Sequence, residues 1–263
     1  MTLEIEILSG RKGSNPGGMC IVRSASRTIH CYVKYCPGSN LPKNSHLDAA
    51  HQPIYEAITN VMARKLGLNT PNFFVLSYRG EPVKKLNGEE IFKNGRKYYF
   101  VSELLANPGS VDNKKLREVM DKERVYRDFL GIWDVENRAD NYFFYSDSGL
   151  LKYIDLGCSF VWAKGSIITI KKRIQQELLD AQRLKEAKKR IVGHSLILPN
   201  GAQIRLEDIA NMLFNIQIPV LNPEKRENIV SLLSQDEIEE IRKIFVLEIF
   251  DVFKKYRHSD PIN

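Results

Sequence analysis

The residues of this chain best suited to chemistry flank two short apolar runs. Asn141 stands just before Tyr142-Phe-Phe-Tyr145, and Asp155 just after Leu150-Leu-Lys-Tyr-Ile154. Between the runs, Ser146-Asp-Ser-Gly149 is a turn signal, so they read as a hairpin that carries Asn141 and Asp155 to the same end. An amide oxygen beside a carboxylate suits Mg²⁺, which takes one or two protein oxygens and completes its shell with water and substrate phosphates. Phosphoryl transfer is the reaction class such a centre serves. Each half has a plainer explanation, an Asn closing a turn or an Asp-x-Gly ending a strand; their pairing across one hairpin favours the metal.

The elements that must position this centre come earlier. Leu3–Leu8, Met19–Arg23 and Ile29–Tyr35 alternate as strands do, and Phe73–Tyr78 and Tyr98–Glu103 complete a small sheet. Between the first two strands lies Ser9-Gly-Arg-Lys-Gly-Ser-Asn-Pro-Gly-Gly18. Its glycines allow the close backbone approach that a phosphate-covering loop requires, and equally suit a flexible hairpin. Lys34 falls late in the third strand, among residues that would otherwise face a core. Pro53–Leu66 is an amphipathic helix with Ile54, Ala57, Ile58, Val61, Met62 and Leu66 at helical spacing. Glu56 sits at the edge of that stripe. Paired with Lys34, it would hold the ammonium toward nucleotide phosphates.

Length and composition narrow the class. At 263 residues and 43% hydrophobic content the chain can bury one large or two smaller cores. No apolar run reaches the roughly 20 residues of a membrane span, and the first residues lack the order of a signal peptide, so a cytoplasmic protein is expected. Cys20, Cys31, Cys36 and Cys158 form no Cys-x-x-Cys pair, which speaks against zinc and for a reducing compartment. The net charge of +7 attracts phosphate-rich partners weakly. Lys171-Lys-Arg173 and Lys185-Glu-Ala-Lys-Lys-Arg190 bracket a helical run from Ile174 to Leu184, a solvated face first and a weak contact for an anionic surface second. Without aromatic interleaving or a recognition motif, the basic residues make nucleic acid an unlikely partner.

Asn107-Pro-Gly-Ser110 reads as a linker, with a boundary near Leu105 dividing residues 1–105 from 106–263. Lys114 to about Trp133 is helical, and after the hairpin the chain turns mostly helical again. Ser234-Gln-Asp-Glu237 is a capping box opening a helix to about Tyr256.

Taken in order, these motifs resemble the protein-kinase-like superfamily, in particular its HipA-like and phosphatidylinositol-kinase-like branch. The resemblance spans roughly Leu3 to Phe160. It rests on Gly-Ser-Asn-Pro-Gly-Gly18, the Tyr-Val-Lys34 strand, Glu56 in a helix closing with Leu-Gly-Leu-Asn-Thr-Pro71, the Val-Ser-Glu-Leu104 strand end, Asn141, and Ile-Asp155-Leu-Gly-Cys-Ser-Phe160. It implies an α+β, two-lobed kinase-like fold: a small β-rich N-lobe with one helix and a mostly helical C-lobe. It also implies ATP and Mg²⁺ as cofactors. The backbone of Ser14, Asn15, Gly17 and Gly18 would cover the phosphates and Lys34, held by Glu56, would contact them. Glu103 and Leu104 would offer backbone hydrogen bonds to adenine, and Asn141 and Asp155 would hold the metal.

The departure falls on the catalytic base. The family places an Asp five residues before the metal Asn, where this chain has Glu136; Asp134 lies two residues earlier, and Asp140 is too close to Asn141 for the usual base. A misplacement near 1 Å costs on the order of 10²-fold in rate, so an active, a slow or an inactive enzyme remains open. The segment after Asp155 also lacks an Ala-Pro-Glu motif. A HipA-like kinase for protein Ser/Thr hydroxyls is the first expectation, a phosphoinositide or small-molecule kinase the second, and a nucleotidyl transferase or nucleotide-binding pseudokinase the third.

Overall fold

The computed structural model describes residues 4–10, 17–23, 26–34, 46–77, 98–132, 135, 139–158, 185, 188–220 and 225–243. Five strands, β1 (Glu4–Ile7), β2 (Gly17–Arg23), β3 (Thr28–Lys34), β4 (Phe73–Ser77) and β5 (Tyr98–Glu103), form one antiparallel sheet in the order β1-β2-β3-β5-β4. The period-2 pattern sorts its side chains cleanly. Cys20, Val22, Cys31, Val33, Phe74, Leu76, Tyr99 and Val101 make one buried cluster. Their neighbours in sequence, including Phe73, Val75 and Phe100, join a second cluster built around the long helix. Lys34 belongs to this second face, so a one-residue slip of β3 would turn it away from the helix.

That helix, α1 (Gln52–Lys65), lies between β3 and β4 in the chain, with a Pro at its start. Tyr55, Glu56, Thr59 and Asn60 are buried along with its apolar residues. At the edge of the apolar stripe, Glu56 is only 4% exposed. Helix α2 (Asn113–Phe129) opens on Asp112, whose side chain accepts from the amides of Lys114 and Lys115. It ends four residues short of the expected Trp133, at Leu130 and a Gly131 with φ of +63°. Strands β6 (Tyr142–Tyr145) and β7 (Leu150–Tyr153) form the anticipated hairpin, with Tyr142 opposite Tyr153.

Beyond the hairpin the described residues add short strands to the helices that the sequence suggests. Three short strands, β8 (Ile191–Val192), β9 (Ser195–Ile197) and β10 (Gln203–Arg205), form one small sheet, and β11 (Gln217–Pro219) pairs with β12 (Arg226–Asn228). Helix among the described residues here comprises 185 and 188–190, α3 (Leu206–Asn211) and α4 (Gln235–Lys243). The Asn200-Gly201 turn, with Gly201 at φ +85°, folds β9 back onto β10. Leu196, Ile209, Leu213, Ile218, Ile238 and Ile241 join the cluster that includes α1, the hairpin and Phe100. No helix among the described residues is long and apolar enough to cross a membrane. The helical run expected over 174–184 and the end of the last helix lie outside the described residues.

The capping box at α4 is present and has a second role. The Glu237 amide donates to Ser234 Oγ at 3.2 Å, and the Ser234 amide donates to Glu237 Oε2 at 2.8 Å. The other carboxylate oxygen, Oε1, accepts from Tyr55 Oη at 2.6 Å and from His51 Nδ1 at 2.7 Å. Burial would raise the Glu237 pKa, but bonds from His51, Tyr55 and the Ser234 amide outweigh it and draw the group down to about 2. A depressed carboxylate contributes stability above its ordinary value near 4.5 and loses it as pH falls toward 2. Urea midpoints between pH 5 and 2 are expected to fall more steeply for the wild type than for Glu237→Gln; parallel curves would mean that Glu237 titrates at its ordinary value.

Candidate nucleotide and metal site

A cleft of about 820 Å³ opens between the α1-facing side of the sheet and the β6–β7 hairpin. Met19, Tyr32, Lys34, Phe100 and Ser102 line it from the sheet, Glu56 and Asn60 from α1, and Asn141, Phe143 and Asp155 from the hairpin. Concave, largely apolar walls with a few convergent polar groups are the usual form of a small-molecule site.

At its centre the Lys34 ammonium donates to Glu56 Oε1 at 2.9 Å and to Asp155 Oδ1 at 2.8 Å. The Lys34 side chain is 14% exposed, Glu56 5% and Asp155 33%, so this triad lies mostly out of water. Burial alone would lower the Lys34 pKa. The two carboxylates, Glu56 ahead of Asp155, more than offset it and hold the amine above its ordinary value, fully charged at neutral pH.

Each member of the triad is placed by a different element. Lys34 ends β3 directly opposite Gly17, the first residue of β2. A Cβ at Gly17 would stand 2.2 Å from the Val33 carbonyl oxygen, so glycine is required here for strand-to-strand approach. This close approach lies within the sheet itself, beside the start of the loop expected to cover phosphates. Glu56 packs on Gly157, where a Cβ would come within 2.8 Å of Glu56 Oε2. The glycine of Asp-Leu-Gly is thus the seat of the Glu56 carboxylate. Asp155 follows β7 at φ +56°, the one positive φ of a non-glycine among the described residues. A strained backbone held by its surroundings is a recurrent feature of functional positions.

Asn141 is buried and closes the hairpin beside Asp155, its carbonyl accepting from the Ile154 amide at 2.9 Å. Among the described residues no group of three or more His, Cys, Asp or Glu could hold a metal alone. One carboxylate and one amide, both hard oxygen donors on the wall of an open cleft, fit a cation that draws its other ligands from substrate and water. The described cleft residues include one ammonium, Lys34, against four carboxylates: Glu56, Glu103, Asp140 and Asp155. Such a wall repels a bare polyphosphate and favours one that arrives with a divalent cation.

Glu103 and Leu104 line the cleft as expected, but both amides are committed. Glu103 N–H donates to Asn72 O at 2.8 Å and Leu104 N–H to His30 O at 3.0 Å. Neither amide is therefore free here for the adenine bond expected of it. The Glu103 carboxylate is itself held by Asn72 Nδ2 at 2.8 Å and faces Lys152 Nζ at 3.5 Å. Gly18 continues β2 opposite Val33. Ser14, Asn15, Asp134 and Glu136 lie outside the described residues. Asp140, set aside in the sequence for its closeness to Asn141, lines the cleft and is exposed. Asn60 also reaches it without any motif to mark it, and Ser102, inside the Val-Ser-Glu-Leu104 motif but given no role there, does so too; Asn60 Nδ2 donates to the Glu56 carbonyl at 2.9 Å.

No protein-family model matches the chain, and no curated protein matches it in sequence. A solved structure from Helicobacter pylori, of the proinflammatory kinase CtkA, is similar with a TM-score of 0.46 and 13% identity over 97% of this chain and 95% of that one. A likeness of that degree carries no inference about activity.

The triad makes a stability prediction that needs no ligand. Lys34→Met leaves Glu56 buried without a counter-charge and is expected to cost about 3 kcal/mol, most of it recovered by adding Glu56→Leu. Urea unfolding of the three proteins checks it. A loss below about 0.5 kcal/mol for Lys34→Met would mean that water screens the triad.

Proposed function

We propose that the chain is an ATP- and Mg²⁺-dependent phosphotransferase of the protein-kinase-like superfamily, a HipA-like kinase whose acceptor is a protein Ser/Thr hydroxyl. The observation that carries this reading is the Lys34 ammonium held by both Glu56 and Asp155 on the wall of the cleft. A nucleotide triphosphate needs a positioned cation for its phosphates and oxygen ligands for its metal, and the two are in contact here. Asn141 and Asp155 would hold Mg²⁺, whose bound charge offsets that developing on the transferred group. Glu56 keeps Lys34 extended toward the phosphates. Glu136 or Asp134 takes the acceptor's proton as its oxygen bonds to the γ-phosphorus and the bond to the β,γ-bridging oxygen breaks, releasing ADP. Phosphoinositide and nucleotidyl-transfer alternatives, and an inactive nucleotide-binding form, are separated by the label that moves.

With Mg²⁺ and ATP at ~100 times its dissociation constant, the fold is expected to gain roughly 2.7 kcal/mol and melt several degrees higher. No shift with any nucleotide and metal would end this reading, including its inactive form. Asp155→Ala is expected to lower turnover on the order of 10³-fold while the fold survives. Unchanged transfer would make the hairpin purely structural.

The base is assigned by three variants assayed with γ-labelled and α-labelled ATP against protein and lipid acceptors. If Glu136 is the base, Glu136→Gln is expected to abolish γ-label transfer with ATP affinity nearly unchanged, because a base orients the acceptor and does not hold the phosphates. A loss confined to Asp134→Asn or to Asp140→Asn would move the role to that residue.

A further inference from the structure

Helix α1 grips two parts of the molecule on two neighbouring faces. Gln52, Glu56 and Asn60 recur every fourth residue and so share one face. Gln52 Nε2 donates to Gly157 O at 3.5 Å, Glu56 takes Lys34, and Asn60 lines the cleft. Tyr55, one residue and about 100° round α1 from Glu56, acts together with His51, the residue just before the helix. Both donate to the same oxygen of Glu237, near the start of α4. A carboxylate only accepts, so His51 Nδ1 carries the hydrogen of its bond.

The grip is reinforced on either side. Tyr55 Oη accepts from the Asp48 amide at 3.0 Å, and the His46 amide donates to Glu240 Oε2 at 2.5 Å, one turn along α4. Helix α4 is itself fixed in the core by Ile238 and Ile241. Tyr55 and Glu56 are consecutive, so α1 cannot rotate or slide to release Glu237 without carrying Glu56 away from Lys34.

We propose that Glu237 is a positioning residue for the nucleotide site: through Tyr55 and His51 it fixes the rotation of α1, and thereby the contact of Glu56 with Lys34. The consequence for nucleotide affinity rests on the phosphotransferase reading; the mechanical link from Glu237 to Lys34 does not. Through this link α4 controls the site, and whatever loosens α4 from α1 weakens phosphate binding without touching the cleft.

The test is a double-mutant cycle of Glu237→Gln and Lys34→Met, with Tyr55→Phe as a milder substitute for Glu237→Gln should that variant fold poorly. Lys34 and Glu237 share no bond, so a Glu237 that is merely structural gives additive effects. With Lys34 present, Glu237→Gln is expected to weaken ATP·Mg²⁺ binding about tenfold; with Lys34→Met the same change is expected to alter affinity less than about twofold. Urea midpoints of the four proteins, measured without nucleotide, are expected to be non-additive in the same sense, and additive midpoints would overturn the proposal. Failure of the wild type to bind any nucleotide would instead sink the phosphotransferase reading, leaving the urea cycle to decide the role of Glu237.

Discussion

An ammonium ion withdrawn from water constrains this molecule more than any other group. Lys34 can be buried only because Glu56 and Asp155 both meet it, and each arrives from a different element. Removing one partner from such a cluster strands a charge in low dielectric, whereas the complete cluster balances desolvation against attraction. The sheet register, the rotation of α1 and the turn at the end of β7 must therefore all be right together. Two glycines mark where this demand reaches the backbone: Gly17 lets β2 approach β3 beside Lys34, and Gly157 leaves room for the Glu56 carboxylate.

The same cluster accounts for what the cleft can accept. Four carboxylates and one ammonium line its described wall, and the ammonium is already shared between two of them. A ligand rich in phosphate would compete with Asp155 for Lys34, while a divalent cation would take up the carboxylate so released. In the proposed reading, nucleotide and metal would thus be coupled by the charge balance of the wall itself. The amides of Glu103 and Leu104 are committed to Asn72 and His30, so a base bound in this cleft would have to meet carbonyl and side-chain groups such as Ser102.

Much of the site was legible in the sequence because its signals are local. Alternation placed Lys34 on the inner face of a strand, helical spacing placed Glu56 on one helix, and a turn signal joined Asn141 to Asp155. Elements that depend on distant partners were not legible. The edge position of Glu56 and its pairing with Lys34 were open to the sequence, but its seat on Gly157, about 100 residues away in the chain, was not. Glu237 was recognised through its bond to Ser234, three residues away, but its bonds to Tyr55 and His51 cross more than 180 residues, where periodicity carries no information. The short strands after the hairpin were missed for another reason. Runs of two or three residues have too little alternation to register, although Asn200-Gly201 marks one of their turns.

The central claim is that Lys34, Asn141 and Asp155 form one centre for a metal-bound nucleotide. Its most direct test is a crystal structure of the full chain with a non-hydrolysable ATP analogue and Mn²⁺, the metal located by its anomalous signal. The account predicts one Mn²⁺ bound by Asp155 and Asn141 and by phosphate oxygens, with Lys34 still on Glu56 and turned to the phosphates. Nucleotide bound elsewhere, or Mn²⁺ bound without either hairpin residue, would contradict it.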